Sequence, residues 1–187
     1  NRGTPMTLKV RGEELKFKSS SEPIIARHCP RCGTARQKNA LVCVSCGTQL
    51  PATAPPEYPK VKYKLSDPAD FVGKRCIVVG AGNSAIEAAV DLCGFKREGD
   101  QMRFTRDNDV TLVVRSDFKG DLKLGNKMNV YDCIDAGRIK VFFRTEIEEI
   151  KEREVVLKDV RTKEEKARIP NDYVFAMIGG EKPTKFL

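Results

Sequence analysis

Two short apolar runs frame the chain. Arg75-Cys-Ile-Val-Val-Gly80 places four apolar residues between a basic residue and a glycine, the pattern of a strand buried on both faces of a parallel sheet. Val110-Thr-Leu-Val-Val-Arg115 repeats it. Between the two runs, Ile86, Ala89, Val90 and Cys93 recur at helical spacing, with Asn83 or Ser84 available as the N-cap and Gly94 as the stop. A second helix is predicted over about 126–136, closed by Gly137, and a third strand over 139–143. Strand, helix, strand, helix, strand in that order predicts a parallel sheet with right-handed crossovers.

The pattern then changes. Short alternating runs at 146–150, 154–157 and 167–169 lack helical periodicity and predict a three-stranded antiparallel meander. Residues 173–178, Tyr-Val-Phe-Ala-Met-Ile, read as a last buried strand running into Gly179 and Gly180. Residues 1–15 contain Gly3, Pro5 and Gly12 without a sustained period and read as loop or short edge strand. Residues 27–50 hold four cysteines, and the prolines of the stretch that follows, 51–62, predict a semi-rigid linker. The expected organisation is therefore 1–26 as a crossing segment, 27–50 as a cysteine module, 51–62 as linker and 63–187 as the main α/β domain.

With 187 residues, 40% of them hydrophobic, the chain can bury one main core and a small accessory module. No apolar run reaches the roughly 20 residues of a membrane span, and the N-terminus has no signal-peptide layout, so a cytoplasmic protein is expected. Seven cysteines, an odd number, fit metal or redox chemistry in a reducing compartment better than a disulfide framework. The net charge of +8 is spread among interleaved acids rather than gathered in one patch. With no tryptophan and no basic-aromatic alternation, neither nucleic acid nor membrane is expected as a partner.

Gly80-Ala81-Gly82-Asn83-Ser84-Ala85 fits G-x-G-x-x-A directly after a buried strand and at the start of a helix. Gly80 would allow the tight turn, Gly82 would let backbone amides approach a pyrophosphate, and Ala85 would let helix and strand pack closely. Ser84 can add a hydroxyl donor. A nicotinamide dinucleotide is the expected ligand. At the tip of the second strand Arg115 and Ser116 favour a 2′-phosphate and hence NADP, while Asp117 keeps NAD open.

The combination of residues 73–89, 110–115 and 172–180 resembles the flavin-dependent pyridine-nucleotide disulfide oxidoreductases, in particular thioredoxin-reductase-like proteins and the bacillithiol-disulfide reductase group. Asn1-Arg-Gly-Thr-Pro5 with Gly12 and Glu13 is similar to that family's outgoing crossing between flavin and nucleotide domains, and 172–180 to the return crossing. The resemblance implies that Ile178, Gly179 and Gly180 line the cofactor cleft and that Glu87 lies near the nicotinamide, although a solvated first-turn helix acid would look the same. It also implies a missing flavin domain of the same polypeptide. FAD would belong to the full-length protein only, and this chain alone is expected to be inactive.

Cys29-Pro-Arg-Cys32-Gly33 and Cys43-Val-Ser-Cys46-Gly47 are two C-x-x-C-G knuckles ten residues apart. Two such turns facing each other make a closed four-thiolate zinc ribbon. A redox dithiol and a rubredoxin-type iron site use the same residue types and stay open, as does His28 in place of a cysteine. Cys76, Cys93 and Cys133 fall in predicted core elements and read as small buried hydrophobes.

The fold expected is thus a Rossmann-like α/β domain with a parallel sheet and β-meander, plus a small four-cysteine zinc ribbon. The function expected is the NAD(P)H-binding lobe of a flavin enzyme that passes electrons from NAD(P)H through FAD to an acceptor, which could be a protein; a homodimer is left open. The alternative is a docking module, in which the ribbon, with Arg27, Arg31, Arg36 and Lys38, binds protein or nucleic acid beside a dinucleotide-sensing domain.

Overall fold

The computed structural model describes residues 6–17, 31, 32, 34, 42–49 and 58–179. In chain order the strands and helices are β1 (Lys16–Phe17), β2 (Tyr58–Pro59), β3 (Val61–Lys62), β4 (Arg75–Val79), α1 (Asn83–Cys93), β5 (Phe95–Glu98), β6 (Gln101–Phe104) and β7 (Asp109–Val114). They continue with α2 (Leu124–Asp135), β8 (Ile139–Phe143), β9 (Thr145–Ile150), β10 (Glu154–Asp159), β11 (Glu165–Pro170) and β12 (Tyr173–Ala176). The chain divides into two compact units, one of Asn1–Leu15 with Lys60–Leu187 and one of Lys16–Pro59.

The first unit is built on a five-stranded sheet in the order β3-β12-β4-β7-β8, parallel at every junction. α1 joins β4 to β7 and α2 joins β7 to β8, the crossovers that a parallel sheet requires. Ala85, Ile86, Ala89, Leu92 and Cys93 of α1 are fully buried, so the helical spacing of these residues is spent on the sheet. An antiparallel meander, β11-β10-β9, brings Ile147, Ile150, Val155 and Leu157 into one cluster with Ile77, Val113, Val174 and Ala176 of the sheet. The parallel α/β fold and its meander are those expected from the sequence.

Local details differ. α1 begins at Asn83 with Gly82 as its N-cap, because the Asn83 side chain is engaged elsewhere. Its Oδ1 accepts from Lys123 N at 2.9 Å and from Asn126 Nδ2 at 3.0 Å, tying the start of α1 to the start of α2. The second strand stops at Val114, leaving Arg115 beyond its end, and the last strand stops at Ala176, short of Ile178. Val61–Lys62, expected within the linker, pairs with β12 as the sheet's edge. The hairpin β5–β6, which the sequence did not announce, turns at Gly99 with φ +62°.

The N-terminal segment at residues 6–15 is held by a compact set of bonds. Glu13 accepts from Leu8 N and Lys9 N, each at 2.8 Å, and from the Tyr63 hydroxyl. A Cβ on Gly12, at φ +85°, would lie 1.8 Å from Ile150 O, so the approach of this segment to β9 requires glycine. Met6 N donates to Gly179 O at 3.2 Å, joining the segment to the chain beyond β12. Lys60, fully buried, donates from Nζ to Lys151 O (2.6 Å), Glu152 O (3.0 Å) and Asn171 O (3.1 Å). Loss of solvation pushes its ammonium down to about 8.

Candidate dinucleotide cleft and cysteine cluster

β4 ends at Val79, and the chain turns at Gly80 with φ +145° while Gly80 N donates to Val113 O of the neighbouring strand at 3.1 Å. A Cβ there would stand 2.5 Å from Met177 O and 2.9 Å from Ala85 Cβ, so no side chain fits. Gly82 is different. Its backbone is extended (φ −97°, ψ 178°), and a Cβ would meet only Lys119 Cδ at 3.7 Å. What the glycine leaves there is open room in front of the helix N-terminus, where the first N–H groups have no intrahelical acceptors and the dipole is positive. Ala85, with no exposed surface, sits where α1 meets the turn.

The turn opens on a cleft of about 800 Å³. One wall is Gly80 to Ser84, another is Met6 and Leu8 to Val10 of the N-terminal segment, and Met177, Ile178 and Gly179 follow from the end of β12. Arg115, Ser116 and Lys119 lie beyond the tip of β7, and Thr145, Glu146, Ile147 and Lys158 come from the meander. The cleft sits outside the carboxyl ends of the parallel strands, where open α/β sheets bind their ligands. Its volume falls in the range of cofactor sites.

Of the residues singled out in the sequence, Gly80, Ala81, Gly82, Asn83, Ser84, Arg115, Ser116, Ile178 and Gly179 meet in this cleft. Ala85 packs behind the turn, and Gly180 lies outside the described residues. Glu87 does not reach the cleft: its carboxylate accepts from Asn126 Nδ2 at 2.9 Å and faces Lys123 Nζ at 3.4 Å, a helix-to-helix contact that holds it below the usual carboxylate range. Asp117 is exposed and does not line the cleft.

A further acid is present that the sequence does not place there. Glu146, second residue of β9, stands 3.8 Å from Arg115 Nε, 3.9 Å from Lys158 Nζ and 2.8 Å from Lys163 Nζ. The tip of β7 is therefore not free of carboxylate. Glu146 follows β8 directly in the chain, and only the strand order β7-β8 with the turn into β9 brings it beside Arg115.

In the second unit, Cys32, Cys43 and Cys46 converge with their sulfurs within 4.8 Å of one another, Cys32 and Cys43 at 3.5 Å. The knuckle at Cys43 closes through Gly47 N to Cys43 O (2.9 Å) and Cys43 N to Thr48 O (2.9 Å), with Gly47 at φ +67°. The Thr34 hydroxyl, 3.2 Å from Cys32 Sγ, and the Thr34 backbone pull that thiol down to about 6. Three soft donors from two knuckles at this separation fit three corners of a tetrahedral thiolate site. Cys29, the fourth expected ligand, lies outside the described residues, as do His28, Arg27, Arg36 and Lys38. Arg31 is exposed, with Nη1 3.5 Å from Thr48 Oγ1.

Among the described residues no helix is long and apolar enough to cross a membrane.

Comparison with known proteins agrees with the architecture. The family model described as pyridine nucleotide-disulphide oxidoreductase matches residues 42–187. A 34.2 kDa protein in the rubredoxin operon of Clostridium pasteurianum is 29% identical over 126 residues, covering 65% of this chain and 36% of that protein. Bacillithiol disulfide reductase of Staphylococcus aureus superposes with a TM-score of 0.58 at 27% identity, covering 68% of this chain and 36% of that one. Thioredoxin reductase of Giardia duodenalis shares the fold with a TM-score of 0.52 at 22% identity, over 68% of this chain and 38% of that one. The chain thus spans little more than a third of the length of each of these three proteins. With the match running from the second cysteine knuckle through the glycine turn to the last strand, the chain belongs to the pyridine nucleotide-disulphide oxidoreductase family.

Proposed function

We propose that this chain is the NAD(P)H-binding lobe of a flavin-dependent oxidoreductase, working with FAD held by other parts of a longer polypeptide and delivering electrons to an acceptor. The observation that carries this reading is the glycine turn that opens, through the bare Cα of Gly82, into the 800 Å³ cleft at the carboxyl ends of the sheet. The cofactor would supply a hydride; the chain's own residues bind and orient it. The N–H groups at the start of α1, with the Ser84 hydroxyl, would hold the pyrophosphate. Arg115 and Ser116 would take the adenosine end, where a charge-assisted guanidinium contact favours NADP over NAD. Ile178, Gly179 and Gly180 would line the opposite end.

The boundaries we assign are 1–26 for the crossing segment, 27–50 for a zinc ribbon, 51–62 for the linker and 63–187 for the cofactor domain. Cys29, Cys32, Cys43 and Cys46 would hold one zinc, supported by the convergence of the three described thiols. That ligand set suits a reducing compartment, and we place the protein in the cytoplasm.

The decisive variant is Gly82→Val. Since its Cβ meets nothing closer than 3.7 Å and its φ suits any residue, the fold should melt as before. Binding of both NADPH and NADH, followed by calorimetric titration, should fall by roughly 30-fold or more, about 2 kcal/mol. Unchanged affinity would refute the cleft as the cofactor site. A flavin absorption band in protein purified from this chain alone would refute the allocation of FAD to other parts, which rests on the single glycine fingerprint in the sequence.

A further inference from the structure

We infer that Glu146 is the specificity-determining residue at the adenosine end of the cleft: it competes with a 2′-phosphate for Arg115 and accepts the 2′-hydroxyl of the unphosphorylated cofactor. The inference rests on the dinucleotide reading above and deepens it.

The argument starts from charge. Arg115, Lys158 and Lys163 share a single carboxylate, at 3.8, 3.9 and 2.8 Å. Arg115, Lys158 and Glu146 all line the cleft. The Glu146 side chain is three-quarters buried, whereas Arg115 is 77% exposed. The acid is thus the fixed partner and the arginine the movable one, free to turn toward a ligand. With one negative charge among three positive ones, the group has room for a dianion. A 2′-phosphate would gain Arg115 only by drawing it from Glu146 and by standing near that carboxylate, and like charges at close range in a partly desolvated site oppose each other. A ribose 2′-hydroxyl meets the reverse situation, since a carboxylate beside the strand tip is the acceptor that favours NAD in this fold. Glu146 therefore narrows the preference that Arg115 creates, from the first strand of the antiparallel meander and from a position that follows β8 rather than β7.

The test uses the whole chain and two probes that differ only at the site, 2′,5′-ADP and 5′-AMP, each titrated by calorimetry. Glu146→Gln keeps the shape and removes the charge. We expect it to bind 2′,5′-ADP about tenfold more tightly and 5′-AMP several-fold more weakly. The double variant E146Q/R115A should lose the gain, because the phosphate contact runs through Arg115. Glu165→Gln, which removes one negative charge from β11 outside the cleft, should leave both affinities within about twofold. The inference fails if E146Q moves both probes by the same factor or by none, if the gain survives in the double variant, or if E165Q reproduces it. Should the unaltered chain bind neither probe, the dinucleotide reading falls and this inference with it, whereas binding of both probes with an indifferent E146Q overturns only the role of Glu146.

Discussion

Cys76, Cys93 and Cys133 of the sheet unit are at most 1% exposed, and burial pushes the Cys76 thiol up to about 12. Cys32, Cys43 and Cys46 of the other unit gather their sulfurs within 4.8 Å on tight turns. The same side chain fills apolar volume in one place and in the other is gathered as a soft donor that could bind a metal. The difference lies in what surrounds it. In the sheet unit, apolar strands and helices supply the stabilisation, and a thiol merely fills volume. Among the described residues of the cysteine unit only Cys43 is buried, and a bound ion would have to supply what burial does not.

The largest effect expected from this contrast follows metal removal. Metal analysis should find one zinc per chain, roughly 2.3 Å from each sulfur. Chelation should then withdraw on the order of 10 kcal/mol from the cysteine unit, and hydrogen exchange should show its amides losing protection while those of β4, β7 and β12 keep theirs. Equal loss in both units would erase the contrast.

The sheet unit should instead be sensitive to volume and to buried polarity. Gly80→Val would force a side chain to within 2.5 Å of Met177 O at a φ reserved for glycine, and chemical denaturation should register a loss of about 3 kcal/mol or more, with the metal still bound. Lys60→Met leaves three carbonyls without their donor and should cost about 2–3 kcal/mol. Because the Lys60 ammonium is depressed to about 8 from 10.5, the unfolded chain binds the extra proton between those values. Stability of the natural sequence should therefore rise with pH from about 8 toward 10.5, and K60M should lack that rise; a parallel pH profile for the two would dismiss it.

The smallest effect is acidic. Burial alone would raise the carboxyl of Asp172, but the Arg75 guanidinium and backbone N–H outweigh it and hold the group below its ordinary 3.8. Glu13 is likewise lowered from 4.5 by the Tyr63 hydroxyl and the N–H groups of Leu8 and Lys9, against burial. Folded values below unfolded ones give stability that is present above pH 4 to 5 and drains as pH falls through the folded values. Since both groups are partly exposed, about 1 kcal/mol or less is at stake. Asp172→Asn should flatten the acid limb of a melting-temperature profile, and a profile unchanged by it would show the pair to be neutral.

How much of this was legible in the sequence follows from how local each signal is. The strands β4 and β7 could be read because burial on a parallel sheet leaves continuous apolar runs. The glycine turn could be read because its chemistry lies within six consecutive residues. The hairpin of β5 and β6 was hidden because its residues are mostly exposed and carry no apolar alternation. Lys60 was hidden because its acceptors are 91, 92 and 111 residues away. Glu146 was hidden for a similar reason: a strand-tip rule looks along β7, while the acid arrives from the meander strand β9. Asn83 looked like a cap, and lost that role to contacts with Lys123 and Asn126 forty residues on.

The backbone bond from Lys60 N to Leu15 O, 2.9 Å long, closes the sheet unit at the point where the chain leaves it and returns. Leu15 and Lys60 thus stand side by side although forty-odd residues separate them in the chain. In evolutionary terms such a seam is a permissive address: a gene can gain or shed a cysteine module there without disturbing the register of a single sheet strand. Replacing 16–59 with a short glycine-serine bridge should yield a protein that still folds around β4, α1 and β7.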